Sequence, residues 1–283
     1  MIPEMAHAWG PGTHIEIAFS LIEKLALMAP AVRAVIAGRE EWFIYGNVAA
    51  DIVVGKKFAG EHYHCHNWRV GCQILKRAKT DREKAAAYGY LAHLAADIVA
   101  HNYFIPYKIV YSYRAQLTHH TYWEMRFDMH VRNKVWEQMS KILMADYAPF
   151  NELLGSTLKN ALFPFKASKQ IFSGILALQK FRQFRRTFSF YTKRSRFGLD
   201  TEAVSHYMRL AVASSLGFLK NPEKAVAIQY DPTGAENISY AKMLRREIRK
   251  KVQNKELTRY EVEKFLIDVK RKFYNDIAGV KVV

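Results

Sequence analysis

Apolar positions along this chain recur at three- and four-residue intervals, and nowhere does a convincing run of strict alternation mark a strand. The expected fold class is therefore all-α, a multi-helix bundle. Thr13-His14-Ile15-Glu16 reads as a capping box opening a helix that runs through about Met28, with Pro30 closing it. A second capping box, Thr80-Asp81-Arg82-Glu83, starts a helix carrying Tyr88, Leu91, Leu94, Ala95 and Ile98 that ends before Pro106. Phe127, Val131 and Val135 form the apolar stripe of a third helix, expected over about Thr118 to Leu143. Residues 201–219 read as an apolar helix and residues 239–275 as one or two helices rich in Lys and Arg. The chain shows neither an internal repeat nor a low-complexity tract. It is read as one all-α domain over 1–283, with a metal-ligand half at 9–150.

Composition sets outer limits. Half of the 283 residues are apolar and 13% aromatic, so the chain can bury a sizeable core. No apolar run approaches the ~20 residues of a membrane-spanning helix. Two cysteines, Cys65 and Cys72, are too few for a disulfide framework. The formal net charge of +17 calls for an anionic partner: a phospholipid headgroup and membrane surface, or nucleic acid. The charge is uneven. Between Glu152 and Asp200 there is no acidic residue, while Lys and Arg alternate with phenylalanines, and Phe181, Phe184 and Phe188 share one helical face. Residues 160–200 thus read as a basic amphipathic segment suited either to a lipid interface or to a core with a solvated basic face. Ala6-His7-Ala8 before Trp9 fits a small-residue cleavage site. The expectation is an exported protein, periplasmic or secreted, if a signal peptide precedes Met1, and otherwise a cytoplasmic one associated with the membrane surface.

The candidate chemistry lies in the histidines. Ten of the eleven fall within the first 130 residues: His7, His14, His62, His64, His66, His93, His101, His119, His120 and His130. Carboxylates accompany them at helical spacing, in His93-x3-Asp97-x3-His101 and His120-x3-Glu124, and residues four apart share a helix face. His93 and Asp97 sit in an almost wholly apolar run, where an unpaired carboxylate is costly, so metal or charged partners are required. Imidazole with carboxylate is the usual zinc donor set. His101 follows one turn later, about 80° around the helix from His93 if the helix persists that far. The stretch His62-Tyr63-His64-Cys65-His66, if extended, turns three imidazoles to one side. Asp51 ends an apolar run and, taken alone, would be a cap or turn residue.

The ordered set Trp9, Gly12-Thr13-His14, Asp51, His66 or His64, His93, Asp97, His101, His120 and Glu124 resembles the bacterial zinc-dependent phospholipase C family, whose fold is shared with the P1-type nucleases. The resemblance covers roughly residues 9–130 and implies an all-α fold with two to three zinc ions. By position, Asp51, His66, His93 and Asp97 would hold one zinc. His101, His120 and Glu124 would hold a second, and Trp9 (through a free amine and its carbonyl), His14 and Asp97 a third. His66, as His-x-Trp, matches better than His64. Two intervals, Asp97 to His101 and Trp9 to His14, are shorter than the family pattern. If the chain begins at Met1, His7 would replace the Trp9 amine. The implied reaction is phosphodiester hydrolysis of glycerophospholipids, with Asp51 as candidate general base and no need of a G-x-S-x-G nucleophile. The alternatives are a P1-type single-strand nuclease and a non-catalytic, metal-stabilised membrane-binding protein. An HD-type phosphohydrolase is disfavoured because no His-Asp dipeptide occurs.

Overall fold

The computed structural model describes residues 9–52, 65–115, 120–158 and 197–280, and every regular element among them is a helix. The first elements are α1 (Pro11–Ile22), α2 (Pro30–Ile36), α3 (Glu40–Ile52), α4 (Trp68–Arg77) and α5 (Asp81–Val99). A π-helical turn, Ala100–Phe104, then carries α5 into α6 (Ile105–Tyr111). After α7 (His120–Asp128), α8 (Asn133–Met144) and α9 (Ala148–Thr157) come α10 (Thr201–Lys220), α11 (Ala235–Gln253) and α12 (Arg259–Asp276). Of the basic segment read at 160–200, residues 160–196 lie outside the described residues.

The centre of the molecule is α5. Its capping box forms as the sequence indicates: Thr80 accepts from the Glu83 amide at 3.2 Å, and Glu83 accepts from the Thr80 amide at 2.8 Å. Beyond the first turns the helix is buried all round, with α3, α4 and α10 packed along it. Small residues make this possible. A Cβ on Gly46 of α3 would lie 1.8 Å from the Ala86 carbonyl oxygen, and one on Gly89 of α5 would lie 2.0 Å from that of Phe43. The two backbones are therefore in contact, which aligns the last turns of α3 with the middle of α5. On another side of α5, Ser214 and Ser215 of α10 donate to the carbonyls of Ala95 and Ala92 at 2.6 and 2.7 Å. One hydrophobic core runs continuously from Trp9 to Val280.

The structure corrects the sequence reading in three places. Thr13 is not the cap of α1. The helix starts earlier, with Pro11 in its first turn, and its free amides are met by the Asp128 carboxylate, which accepts from Gly12 N at 3.2 Å and Thr13 N at 2.9 Å. Glu16, released from any capping role, accepts from the Arg132 amide at 3.1 Å and pairs with its guanidinium. That contact also explains the second correction. The helix expected over 118–143 is broken into α7 and α8, because the Arg132 amide bonds to Glu16 instead of continuing the ladder to Asp128. The apolar stripe itself survives the break: Phe127, Val131 and Val135 are all buried. Likewise α1 ends at Ile22, and Pro30 opens α2 instead of closing α1.

Replacing Gly46 by Ala is expected to destabilise the chain by about 3 kcal/mol, the cost of overpacking a site with no room to relax. Thermal denaturation monitored by circular dichroism checks this. A midpoint equal to wild type would mean that α3 and α5 are not in backbone contact.

Candidate metal centre

Four separate stretches of chain deliver the site. His14 comes from the second turn of α1, Asp51 from the end of α3, and His93 and Asp97 from one face of α5. His66 lies just before α4, whose first turn is capped by Asn67 accepting from the Arg69 amide at 2.8 Å. All five are buried, none more than 1% exposed.

Asp97 is the hub. Its carboxylate oxygens lie 3.3 Å from His14 Nε2, 3.1 Å from His66 Nε2 and 3.2 Å from His93 Nε2, and 3.9 Å from His101 Nδ1. Asp51 faces the same imidazoles, at 3.3 Å from His66 Nε2 and 3.9 Å from both His14 Nε2 and His93 Nε2. The His14 ring stacks on that of His93 with centroids 3.8 Å apart. Two donor groups result among the described residues, His14–Asp51–His93 and His66–His93–Asp97, the ligand atoms within each lying within 4.8 Å of one another. Donors around a tetrahedral zinc, each about 2.0–2.1 Å from the ion, stand about 3.3 Å apart. The His66–His93–Asp97 separations, 3.0–3.2 Å, are close to that spacing, and those from Asp51 to His14 and His93 are wider at 3.9 Å.

The protonation pattern supports a cation site. The Nδ1 of His93 is 2.8 Å from the Asn47 carbonyl, which only accepts, so Nδ1 carries a proton and Nε2 is the nitrogen turned into the cluster. There it meets His66 Nε2 at 3.0 Å and two carboxylates. Anchoring Nδ1 to a carbonyl is how metal-binding histidines are oriented. Neither His14 nitrogen and neither Asp97 oxygen makes a well-aligned hydrogen bond among the described residues. Burial, helped by the nearby His93, lowers His14 to about 4, so it is a neutral ligand at neutral pH. Burial alone would raise Asp97, but His93, His14 and His66 outweigh it and hold the carboxyl well below its ordinary range. His14 and Asp97 are thus in the states that zinc requires, and the set of imidazoles and carboxylates fits that metal.

The remaining candidates fall around this core. Trp9 is fully buried, its indole stacked on Phe104 and tilted against Phe127, with Nε1 donating to the Ala96 carbonyl at 3.4 Å, one residue from Asp97. His101 sits in the π turn, 3% exposed, and its Nδ1 lies 2.6 Å from the Pro232 carbonyl. Glu124 is buried on α7 at 2% exposure but belongs to neither of the two donor groups. His120 opens α7, but its side chain lies outside the described residues, as do His64, His7, His62 and His119. Cys65 is a buried thiol with Sγ 3.2 Å from His66 Nδ1.

Sequence reasoning missed Asp128, Asn47 and Pro232. Asp128 follows Glu124 by one turn, and besides the two amides it accepts from Thr13 Oγ1 at 2.6 Å, so it ties α7 to the segment carrying Trp9 and His14. A Cβ on Gly10 would lie 2.1 Å from its Oδ2, which is why glycine stands there. Burial raises Asp128 to about 6 despite those hydrogen bonds. An acid at helical spacing inside Phe127-Asp128-Met129 is the one signal that could have revealed it. Asn47 and Pro232 act through backbone carbonyls, which leave no mark in a sequence.

An all-α bundle with a buried histidine–carboxylate centre of metal-binding geometry is the class that fold and site define. The family model for zinc-dependent phospholipase C matches residues 13–168, more than half of the chain, and the chain belongs to that family. Comparison with curated proteins and with solved structures gives no match. The matched segment spans every candidate ligand except Trp9 and His7. Family and donor set together point to zinc as the metal of this centre.

Protonation of His14 sets an acid limit on the zinc-free protein. Its folded pKa of about 4 lies below the ordinary 6.5, so the unfolded chain binds a proton that the native one refuses. Stability is full above about pH 6.5 and falls by up to about 3 kcal/mol as pH drops toward 4. Asp128 works oppositely, since its pKa is raised from 3.8 to about 6 and acidification over that range relieves a penalty. Urea midpoints in EDTA between pH 4 and 7 should stay nearly level in the wild type, where the two contributions offset each other, and fall with acid in Asp128→Asn. A profile flat in both proteins would contradict the assignment.

Proposed function

We propose that this chain is a phospholipase C, hydrolysing the phosphodiester of glycerophospholipids to diacylglycerol and a phosphorylated headgroup. The observation that carries the reading is Asp97, one buried carboxylate shared by the imidazoles of His14, His66 and His93 in a chain of the zinc-dependent phospholipase C family. In this reading Asp51, His66, His93 and Asp97 would hold one zinc, His14, Asp97 and the Trp9 main chain a second, and His101, His120 and Glu124 a third. When bound, zinc ions lower the pKa of a coordinated water and neutralise charge developing on the phosphate.

The chain's own residues complete the chemistry. Asp51, held between His66 at 3.3 Å and His14 at 3.9 Å, is the carboxylate assigned to accept the water's proton. The Asn47 carbonyl fixes the His93 tautomer, and Asp128 holds the α1 amides so that His14 keeps its place. The net charge of +17 favours an anionic substrate surface, and the proposed partner is a phospholipid membrane.

Purified protein is expected to hold at least two equivalents of zinc by elemental analysis and to release phosphocholine from phosphatidylcholine vesicles. Activity should disappear in EDTA and return with Zn2+. Asp51→Asn should retain zinc within one equivalent of wild type while kcat falls by about 10²-fold or more. Hydrolysis of single-stranded nucleic acid in place of lipid would move the chain to the nuclease reading. Zinc below one equivalent would end the catalytic one.

A further inference from the structure

We infer that the turn Tyr230–Gly234, remote in sequence and outside the family-matched segment, is the positioning element of His101, presenting its Nε2 as a metal ligand. The inference rests on the zinc reading above for what Nε2 binds, but the lock on the ring is independent of it. The Pro232 carbonyl lies 2.6 Å from His101 Nδ1. A carbonyl can only accept, so Nδ1 carries a proton and Nε2 is the nitrogen that would ligate, as for His93 and Asn47.

The turn is held to the π-helical segment by several contacts. Asn102 Nδ2 donates to the Asp231 carbonyl at 2.8 Å and to the Ile98 carbonyl at 3.1 Å, bridging the turn and the helix that carries His101. Asn237 Nδ2 donates back to Asn102 Oδ1 at 3.1 Å. Trp68 Nε1 donates to the Tyr230 carbonyl at 2.9 Å. Within the turn, Asp231 accepts from Thr233 N at 2.9 Å and Ala235 N at 3.2 Å, so its shape is set before it docks. Gly234 has φ 56°, and a Cβ there would lie 2.3 Å from the His101 carbonyl oxygen. Only glycine lets the turn approach so closely. The interval from Asp97 to His101 is short, and the π turn with this docked strap sets where the ring points. Asn102 and Gly234 are thus positioning residues that act through His101.

The test uses the full chain with ¹⁵N-labelled histidine, zinc-free and then titrated with Zn2+ alone against a competing chelator. The His101 ring, assigned through His101→Gln, should show the Nδ1–H tautomer in the zinc-free protein. Asn102→Ala and Gly234→Ala should lose that signature and bind one zinc equivalent about 10-fold more weakly, the others unchanged. Gly38→Ala is the control. It imposes alanine on a similar backbone, φ 76°, where nothing lies within 4 Å, and should match wild type in both readouts. If Gly234→Ala does not fold, Asn102→Ala decides. An Nε2–H tautomer in wild type, or unchanged tautomer and zinc affinity in Asn102→Ala, overturns the inference. A wild-type chain that binds no zinc would defeat the catalytic reading, while the tautomer still decides this one.

Discussion

Two carboxylates, Asp51 and Asp97, lie in the middle of a helical core at 1% and 0% exposure, and a buried unpaired carboxylate is among the costliest things a protein can contain. Everything around them answers that cost. Imidazoles from α1, α5 and the entry to α4 surround Asp97 at 3.1–3.3 Å, and the backbone contact at Gly46 and Gly89 brings the end of α3 close enough for Asp51 to share them. The five donors, three imidazoles and two carboxylates, are packed as a bound cation would require. The same feature that would strain the fold makes it a metal centre, and metal binding to such a site contributes to folding as well as chemistry.

A second layer of hydrogen bonds decides which nitrogen each histidine offers. His93 and His101 both give their Nδ1 protons to main-chain carbonyls, of Asn47 and Pro232. One carbonyl belongs to a helix beside the site, the other to a turn 131 residues away along the chain. Asp128 does the corresponding work for the N-terminal ligands by taking up the free amides of α1. Ligands from distant stretches are thereby fixed relative to one another by rigid elements, which is what a preorganised site needs.

Much of this was legible in the sequence, for local reasons. The pairing of His93 with Asp97 follows from four-residue spacing in an apolar run, and the start of α5 from Thr80 and Glu83, because both depend on contacts within one helix. The helix at 201–219 and the helical character of 239–275 were readable on the same grounds, though not that the latter divides into two helices. Thr13 and Glu16 show the limit. Their spacing imitates a capping box, yet each is claimed by a partner more than a hundred residues away, Asp128 for one and Arg132 for the other. The break between α7 and α8 has the same cause, since a single captured amide ends a helix that its apolar pattern would have continued.

The sequence by itself determined the helical class, the core of the candidate ligand set and the family to which they point, because residue type and period carry that information locally. Which imidazoles converge, which nitrogen faces inward and what holds them there was decided only in three dimensions. Those choices rest on backbone carbonyls at Asn47 and Pro232 and on backbone approach at Gly46, Gly89 and Gly234. Every residue has a carbonyl, and a glycine in a sequence does not say what it allows to come near.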